Sequence, residues 1–205
     1  MHTEHTPTDP CPLGDRYQRY WDKLSLPEKQ MQIDVEGLYS MDLQSVATAL
    51  AARIKADQVI DAFCGIGGAA IAFARAGKDV LAIEIDPQRL EMARHNARMF
   101  GVDRKVNFQL GDALDILQKS SAALYLDPPW GGPSYGRLDR FSLSHFSPNG
   151  EVLIRKGLTV SLEIYLKLPK NFAFDELDGI CRPIEVIENE VNGRLEYYTA
   201  VFKGG

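Results

Sequence analysis

From Val59 onward the chain repeats one unit, a short apolar run followed by a turn and a helix-like stretch. Val59–Ala62 leads into an Ala-rich helix over Ala69–Ala76. Val80–Ile85 leads into a helix that Pro87 opens and that runs through Met99, with proline at the favoured first position. Val106–Leu110 precedes a short helix over Ala113–Lys119, and Ala122–Leu126 is apolar enough to predict a central strand. After an irregular stretch, a helix over 150–157, a strand over Val160–Leu168 and a short helix over Phe174–Ile180 continue the rhythm. Alternation at this spacing calls for parallel strands joined by crossover helices. The rhythm breaks only at the end. Ile184–Val191 and Leu195–Phe202 flank Asn192-Gly193, a pair that tolerates the positive φ angles of a tight hairpin. The expected fold is α/β, a mostly parallel seven-stranded sheet closed by a C-terminal antiparallel hairpin.

Ahead of this body, residues 1–14 read as a flexible polar lead. Asp15–Leu24 places Tyr17, Tyr20, Trp21 and Leu24 on one helical face, and Pro27 is expected to end that helix. Ser40 reads as the N-cap of an amphipathic helix over Met41–Lys55. Residues 1–39 are thus expected as a partly helical extension and 40–205 as the main domain. A chain of 205 residues with 45% hydrophobic content has the size and composition of one soluble domain. The net charge of −5 argues against a broad nucleic-acid surface, though Arg16, Arg19, Lys23, Arg137, Arg140, Arg155 and Lys156 leave room for a local basic rim. Cys11, Cys64 and Cys181 form neither a disulfide framework nor, with the four histidines, a metal-ligand spacing. No metal, no membrane, reduced thiols, a cytoplasmic location and a monomer are therefore expected.

Two segments carry chemistry. The first, Asp61–Gly68, turns from the first strand into its helix, where glycines bring backbone N–H groups close to a ligand. Glu84 ends the next strand, placed to accept hydrogen bonds from ribose hydroxyls. A dinucleotide dehydrogenase would use Gly65, Gly67 and Ala70 against a pyrophosphate, which Asp61 would repel. The cationic S-adenosylmethionine suits Asp61, and Asp112 after the third strand can accept from an adenine amine. Asp61, Phe63, Gly65, Gly67, Glu84, Asp112 and Asp127 are the expected cofactor residues, with Asp86 either among them or simply an N-cap.

The second segment, Asp127-Pro128-Pro129-Trp130-Gly131-Gly132-Pro133, follows the central strand directly. The Asp127 carboxylate and the carbonyls of the stiff prolines can accept from a planar amine, and Trp130 offers a face on which a base stacks. Catalysis then rests on placement and hydrogen bonding of the amine, with Asp127, Pro128, Pro129 and Trp130 as the catalytic set.

The stretch Asp127–Pro133 with Ser134-Tyr135 resembles the signature of the RNA cap guanine-N2 methyltransferases, the trimethylguanosine synthase family. The likeness extends to Arg19-Tyr20-Trp21, Asp34–Ser40, Asp61–Gly68, Ala82–Pro87, Gly111-Asp112, Ser147-Pro148 and Leu168–Asn171, roughly residues 17 to 203. It implies a Rossmann-like class I methyltransferase fold and S-adenosylmethionine as cofactor. It also implies methylation of guanine N2 in RNA or a cap-like nucleotide, with an N-terminal segment closed over the site. Trp130, Tyr135, Trp21 and Asn171 are then the expected substrate contacts. Eukaryotic members commonly carry Ser where this chain has Asp127. Acid-Pro-Pro-aromatic strand ends also serve adenine-N6 and glutamine-amide methylation, and a non-catalytic RNA-binding module that keeps the pocket is a third reading.

Overall fold

The computed structural model describes residues 11–205, so most of the expected polar lead lies outside the described residues. Five parallel strands form first: β1 (Gln58–Asp61), β2 (Asp79–Glu84), β3 (Val106–Leu110), β4 (Ala123–Leu126) and β5 (Glu163–Leu168). A closing hairpin, β6 (Glu185–Val191) and β7 (Arg194–Lys203), completes one seven-stranded sheet in the order β3-β2-β1-β4-β5-β7-β6. Asn192 and Gly193 both take positive φ at its tip, as the turn requires. The hairpin folds back so that β7, the later strand, is the one paired antiparallel with β5. Strand alternation sorts the core. Ala123 and Tyr125 face the helices α4 (Gln44–Arg53), α5 (Gly68–Arg75) and α6 (Pro87–Met99), while Leu124 and Leu126 face α7 (Ala113–Ile116) and α8 (Gly150–Val160).

The N-terminal elements depart from expectation. The aromatic helix is only a 3-10 turn over Asp15–Tyr17 and one α-turn, α1 (Gln18–Trp21). Pro27 does not end it but sits in the first turn of α2 (Leu26–Lys29), where a missing N–H costs nothing. Ser40 does not cap α4. It closes α3 (Val35–Ser40), whose N-cap is Asp34, accepting from the Gly37 amide at 2.7 Å. Met41 and Leu43 are extended because Asp42 between them is drawn into a buried network, so α4 starts only at Gln44. The segment is clamped to the sheet's helices. Asn96 of α6 accepts from Gln32 N at 2.8 Å and donates to the carbonyls of Gln32 and Ile66. Arg89 of α6 pairs with Asp34 (2.8 Å) and Glu36.

Candidate active site

The order of strands reverses between β1 and β4, and open α/β sheets bind ligands outside the strand ends at such a point. A cavity of about 580 Å³ opens there, lined by the turns after β1 to β4, by Lys167 of β5, by the N-terminal segment and by the β6–β7 hairpin.

Asp61 ends β1 and is 1% exposed, and neither of its carboxylate oxygens has a hydrogen-bond partner among the described residues. The Phe63 amide is near enough to favour its charge without making a well-formed hydrogen bond. Burial, reinforced by the charges of Asp127 and Asp42, pushes the Asp61 pKa well above the carboxylate range. The loop that follows needs its glycines: Gly65 (φ 53°) and Gly67 (φ 93°) are left-handed, and a Cβ on Gly67 would come within 3.2 Å of the Ala93 methyl on α6. Glu84 holds this loop, since its Oε2 accepts from Gly65 N (2.8 Å) while its Oε1 accepts from Ile85 N (3.0 Å) and Asp86 N (2.9 Å). Asp86 caps α6, accepting from the Gln88 and Arg89 amides, and Asp112 caps α7, accepting from the Leu114 amide. Both also line the cavity.

On the other side of β1, Asp127 follows β4. Its Oδ2 accepts from Lys167 Nζ at 2.8 Å, and the same ammonium lies 2.6 Å from Asp42 Oδ1 and 3.2 Å from the Ser40 carbonyl. Lys167 thus donates hydrogen bonds to Asp127 and Ser40 and forms an ion pair with Asp42 Oδ1. Tyr125 donates to the second oxygen of Asp42 at 2.6 Å. Burial raises the Asp127 pKa to about 7 despite the lowering effect of Lys167, with Asp42 adding to the rise. The two carboxylates in turn hold the Lys167 pKa above its ordinary value against the opposing effect of burial.

Trp130 is half-buried. Its ring meets Tyr135 edge-on at 4.9 Å, and the Lys167 ammonium stands 5.5 Å from its centre. Of the two proline carbonyls, that of Pro129 already accepts from the Ser147 amide (3.2 Å), whereas that of Pro128 has no protein donor among the described residues.

The cavity therefore brings together Asp61, Phe63, Gly65, Glu84, Asp86, Asp112, Asp127, Pro128, Pro129, Trp130 and Tyr135. Three expected residues lie off its wall. Gly67 shapes the loop from behind. Trp21 is buried with Cys11, Leu24 and Leu38, and its neighbour Tyr20 borders the cavity instead. Asn171 donates to the carbonyls of Tyr135 (3.2 Å) and Leu138 (2.8 Å), so it fixes the loop that carries Tyr135. The sequence reading missed Asp42, Arg89, Lys167, Glu196 and Tyr197 on the wall, as well as Ile85, which is 67% exposed beside Glu84. Lys167 had a signal: it is a lone charge inside the otherwise apolar run Ile164–Leu168.

Eight carboxylate side chains line the cavity against three cationic ones, Lys23, Arg89 and Lys167. That balance repels a pyrophosphate and suits a cation. A family model described as RNA cap guanine-N2 methyltransferase matches residues 56–204. The chain belongs to this family. Its members are S-adenosylmethionine-dependent RNA methyltransferases, and S-adenosylmethionine is the cofactor of this chain. The trimethylguanosine synthase of Schizosaccharomyces pombe is 32% identical over 182 residues, which cover 81% of this chain and 76% of that protein. The trimethylguanosine synthase of Saccharomyces cerevisiae is 27% identical over 159 residues, 71% of this chain but only 50% of that protein. A solved RNA methyltransferase from Salinibacter ruber, in complex with S-adenosyl-L-homocysteine, shares the fold with a TM-score of 0.51 and 22% identity, over 78% of this chain and 88% of that one. The unpartnered buried Asp61 and the excess of carboxylates fit a ligand that carries an ammonium and a sulfonium. The family match starts at residue 56, so the part of the N-terminal segment that lines the cavity, Tyr20 to Val46, lies outside it.

Proposed function

We propose that this chain methylates the exocyclic N2 amine of guanine in RNA or in a cap-like nucleotide. The observation that carries the reading is Asp127. Its Oδ2 is held by Lys167, while Oδ1 has no protein donor among the described residues, at the mouth of the same cavity that holds Asp61 and Glu84. S-adenosylmethionine, when bound, would supply an electrophilic methyl group, its S–CH3 bond breaking to leave the neutral thioether S-adenosylhomocysteine. Asp61 would take its ammonium, Glu84 its ribose hydroxyls through lone pairs left by three backbone donors, and Asp112 its adenine amine. Asp127 Oδ1 and the free Pro128 carbonyl then accept from the substrate amine, which favours the pyramidal nitrogen needed for attack. As the N–C bond forms, the amine gives up one proton, and Asp127 is the group placed to receive it. Trp130 supplies a face for the base. The described part of the N-terminal extension, residues 11–39, acts as a cover over cofactor and base, through Tyr20, Lys23 and Glu36–Tyr39.

Incubating the protein with labelled methyl donor and total RNA, then identifying the modified nucleoside by mass spectrometry, tests this reading. N2-methylated guanosine is expected. N6-methyladenosine, or label in protein glutamine, would replace it with the other amine chemistries that such a strand end serves. Cofactor binding without any methylated product would favour the non-catalytic RNA-binding module.

A further inference from the structure

The geometry points to Glu196 as a specificity-determining residue, a carboxylate that accepts the N1–H of the substrate guanine beside the N2 amine held by Asp127; this rests on the guanine-N2 reading. Along the hairpin, Asn189 pairs with Tyr197 but Glu190 pairs with Leu195, so Glu196 is an extra residue with nothing opposite it. Bulges of this kind bend a strand and re-aim a side chain, and they recur beside active sites. Consecutive residues of a regular strand point to opposite faces. Here Glu196 and Tyr197 both line the cavity. Lys23 and Lys170 approach Glu196 Oε2 at 3.6 and 3.8 Å, a loose fork that leaves Oε1 without a protein donor among the described residues. The chain neighbour of Glu196, Tyr197, has its ring 4.7 Å from the Lys167 ammonium that holds Asp127, which puts this stretch of β7 on the Asp127 side of the cavity. The Glu196 charge acts on the Tyr135 phenol together with Lys167, Tyr20 and Asp127, and Tyr135 is the ring packed against Trp130.

Guanine is the base that this pair of acceptors fits. Its N1–H and N2–H groups lie side by side, so one carboxylate takes the amine and the other the ring N–H. Adenine presents a lone pair on N1 beside its amine, which a carboxylate repels. The mechanism in which Asp127 alone meets the amine does not separate the two bases; a second acceptor does.

The test uses 2-aminopurine, which keeps the amine at C2 but carries a bare lone pair on N1. Short single-stranded RNAs and cap dinucleotides are prepared with guanine or with 2-aminopurine as the acceptor base, and kcat/KM is measured for each. The native protein should favour guanine by roughly ten-fold or more, the scale of one good base-edge contact. Glu196→Gln offers an amide N–H to a bare N1, so it should reverse the preference, whereas Glu196→Ala should lower guanine turnover without rescuing 2-aminopurine. Calorimetric affinity for S-adenosylhomocysteine should stay native in both variants, which separates base selection from a damaged fold. Equal turnover of both bases by the native protein, or an unchanged ratio in Glu196→Gln with guanosine still methylated at N2, would overturn the role of Glu196 alone. Methylation of adenine and not guanine would overturn the guanine-N2 reading and Glu196 with it.

Discussion

Replacing Asp61 with Asn should make the protein more stable and at the same time worse at holding its cofactor. The carboxylate is buried, both oxygens lack hydrogen bonds among the described residues, and the charges of Asp127 and Asp42 oppose its ionisation. An unsatisfied buried polar group costs about 1–3 kcal/mol. An amide removes the charge and has two N–H groups that the neighbouring carboxylates can accept. A gain of about 1–3 kcal/mol corresponds to a rise in Tm of roughly 2–12 °C for a chain of this size. The sign in pH follows from linkage. The folded pKa is raised above the ordinary value of 3.8, so the folded state holds the proton more tightly and stability falls as pH rises from about 3.8 toward the raised value. The advantage of Asp61→Asn should therefore be large at neutral pH and vanish below about pH 4. Binding runs the other way: losing a charged acceptor should weaken S-adenosylhomocysteine by about 1.5–3 kcal/mol, roughly ten-fold to a hundred-fold. Thermal unfolding without ligand and calorimetry with it measure the two halves. A variant that is less stable and binds with native affinity would refute the reasoning, since Asp61 would then be a satisfied structural residue.

The Asp127 pKa of about 7 predicts that methyl transfer at saturating substrate rises with pH up to a limb near 7, or somewhat below once a cation is bound, and then levels. Asp127→Asn should lower the rate and abolish the limb, and a limb that survives belongs to another group. Lys167→Met removes the cation shared by Asp42 and Asp127, so a loss of about 3–5 kcal/mol in urea unfolding is expected, as for a broken buried ion pair. A loss below about 1 kcal/mol, the worth of an exposed pair, would mean the site relaxes around water. Trp130→Leu should weaken substrate binding by about 1–3 kcal/mol while Trp130→Phe recovers part of it, because a stacking face remains. Equal effects of both on cofactor affinity would locate the damage in the loop.

How much could be read from the chain depended on whether a residue's role is local. The sheet follows from alternation of apolar runs, so seven strands and the Asn192-Gly193 turn were legible. Asp61, Glu84, Asp112 and Asp127 were legible because each directly ends a strand or lies within two residues of one, and strand ends of an open sheet point into the crevice. The residues that complete the site answer to partners far along the chain. Asp42 meets Lys167 across 125 positions and breaks a helix that local propensity would begin at Met41. Glu196 reaches the cavity beside a bulge, a register feature that alternation cannot show. Trp21 and Asn171, which the resemblance offered as substrate contacts, lie off the cavity wall, Trp21 packed in a small apolar cluster and Asn171 pinning the loop that carries Tyr135.

Lys167 ties these observations together. One ammonium is ion-paired with Asp42 ahead of α4 and donates to Asp127 after β4 and to the carbonyl of Ser40. Asp42 is also the acceptor for Tyr125 in the central strand. The connection into α4 and the C-terminal end of β4 are thus held by one buried charge network, and neither can shift without leaving a charge unpaired. Such a network is a poor source of stability compared with apolar packing, because its ions must first leave water. Its value lies in fixing geometry. With Oδ2 of Asp127 committed to Lys167, the orientation of the carboxylate is set before any substrate arrives, and the oxygen left over is the one that the proposed reaction offers to the incoming amine.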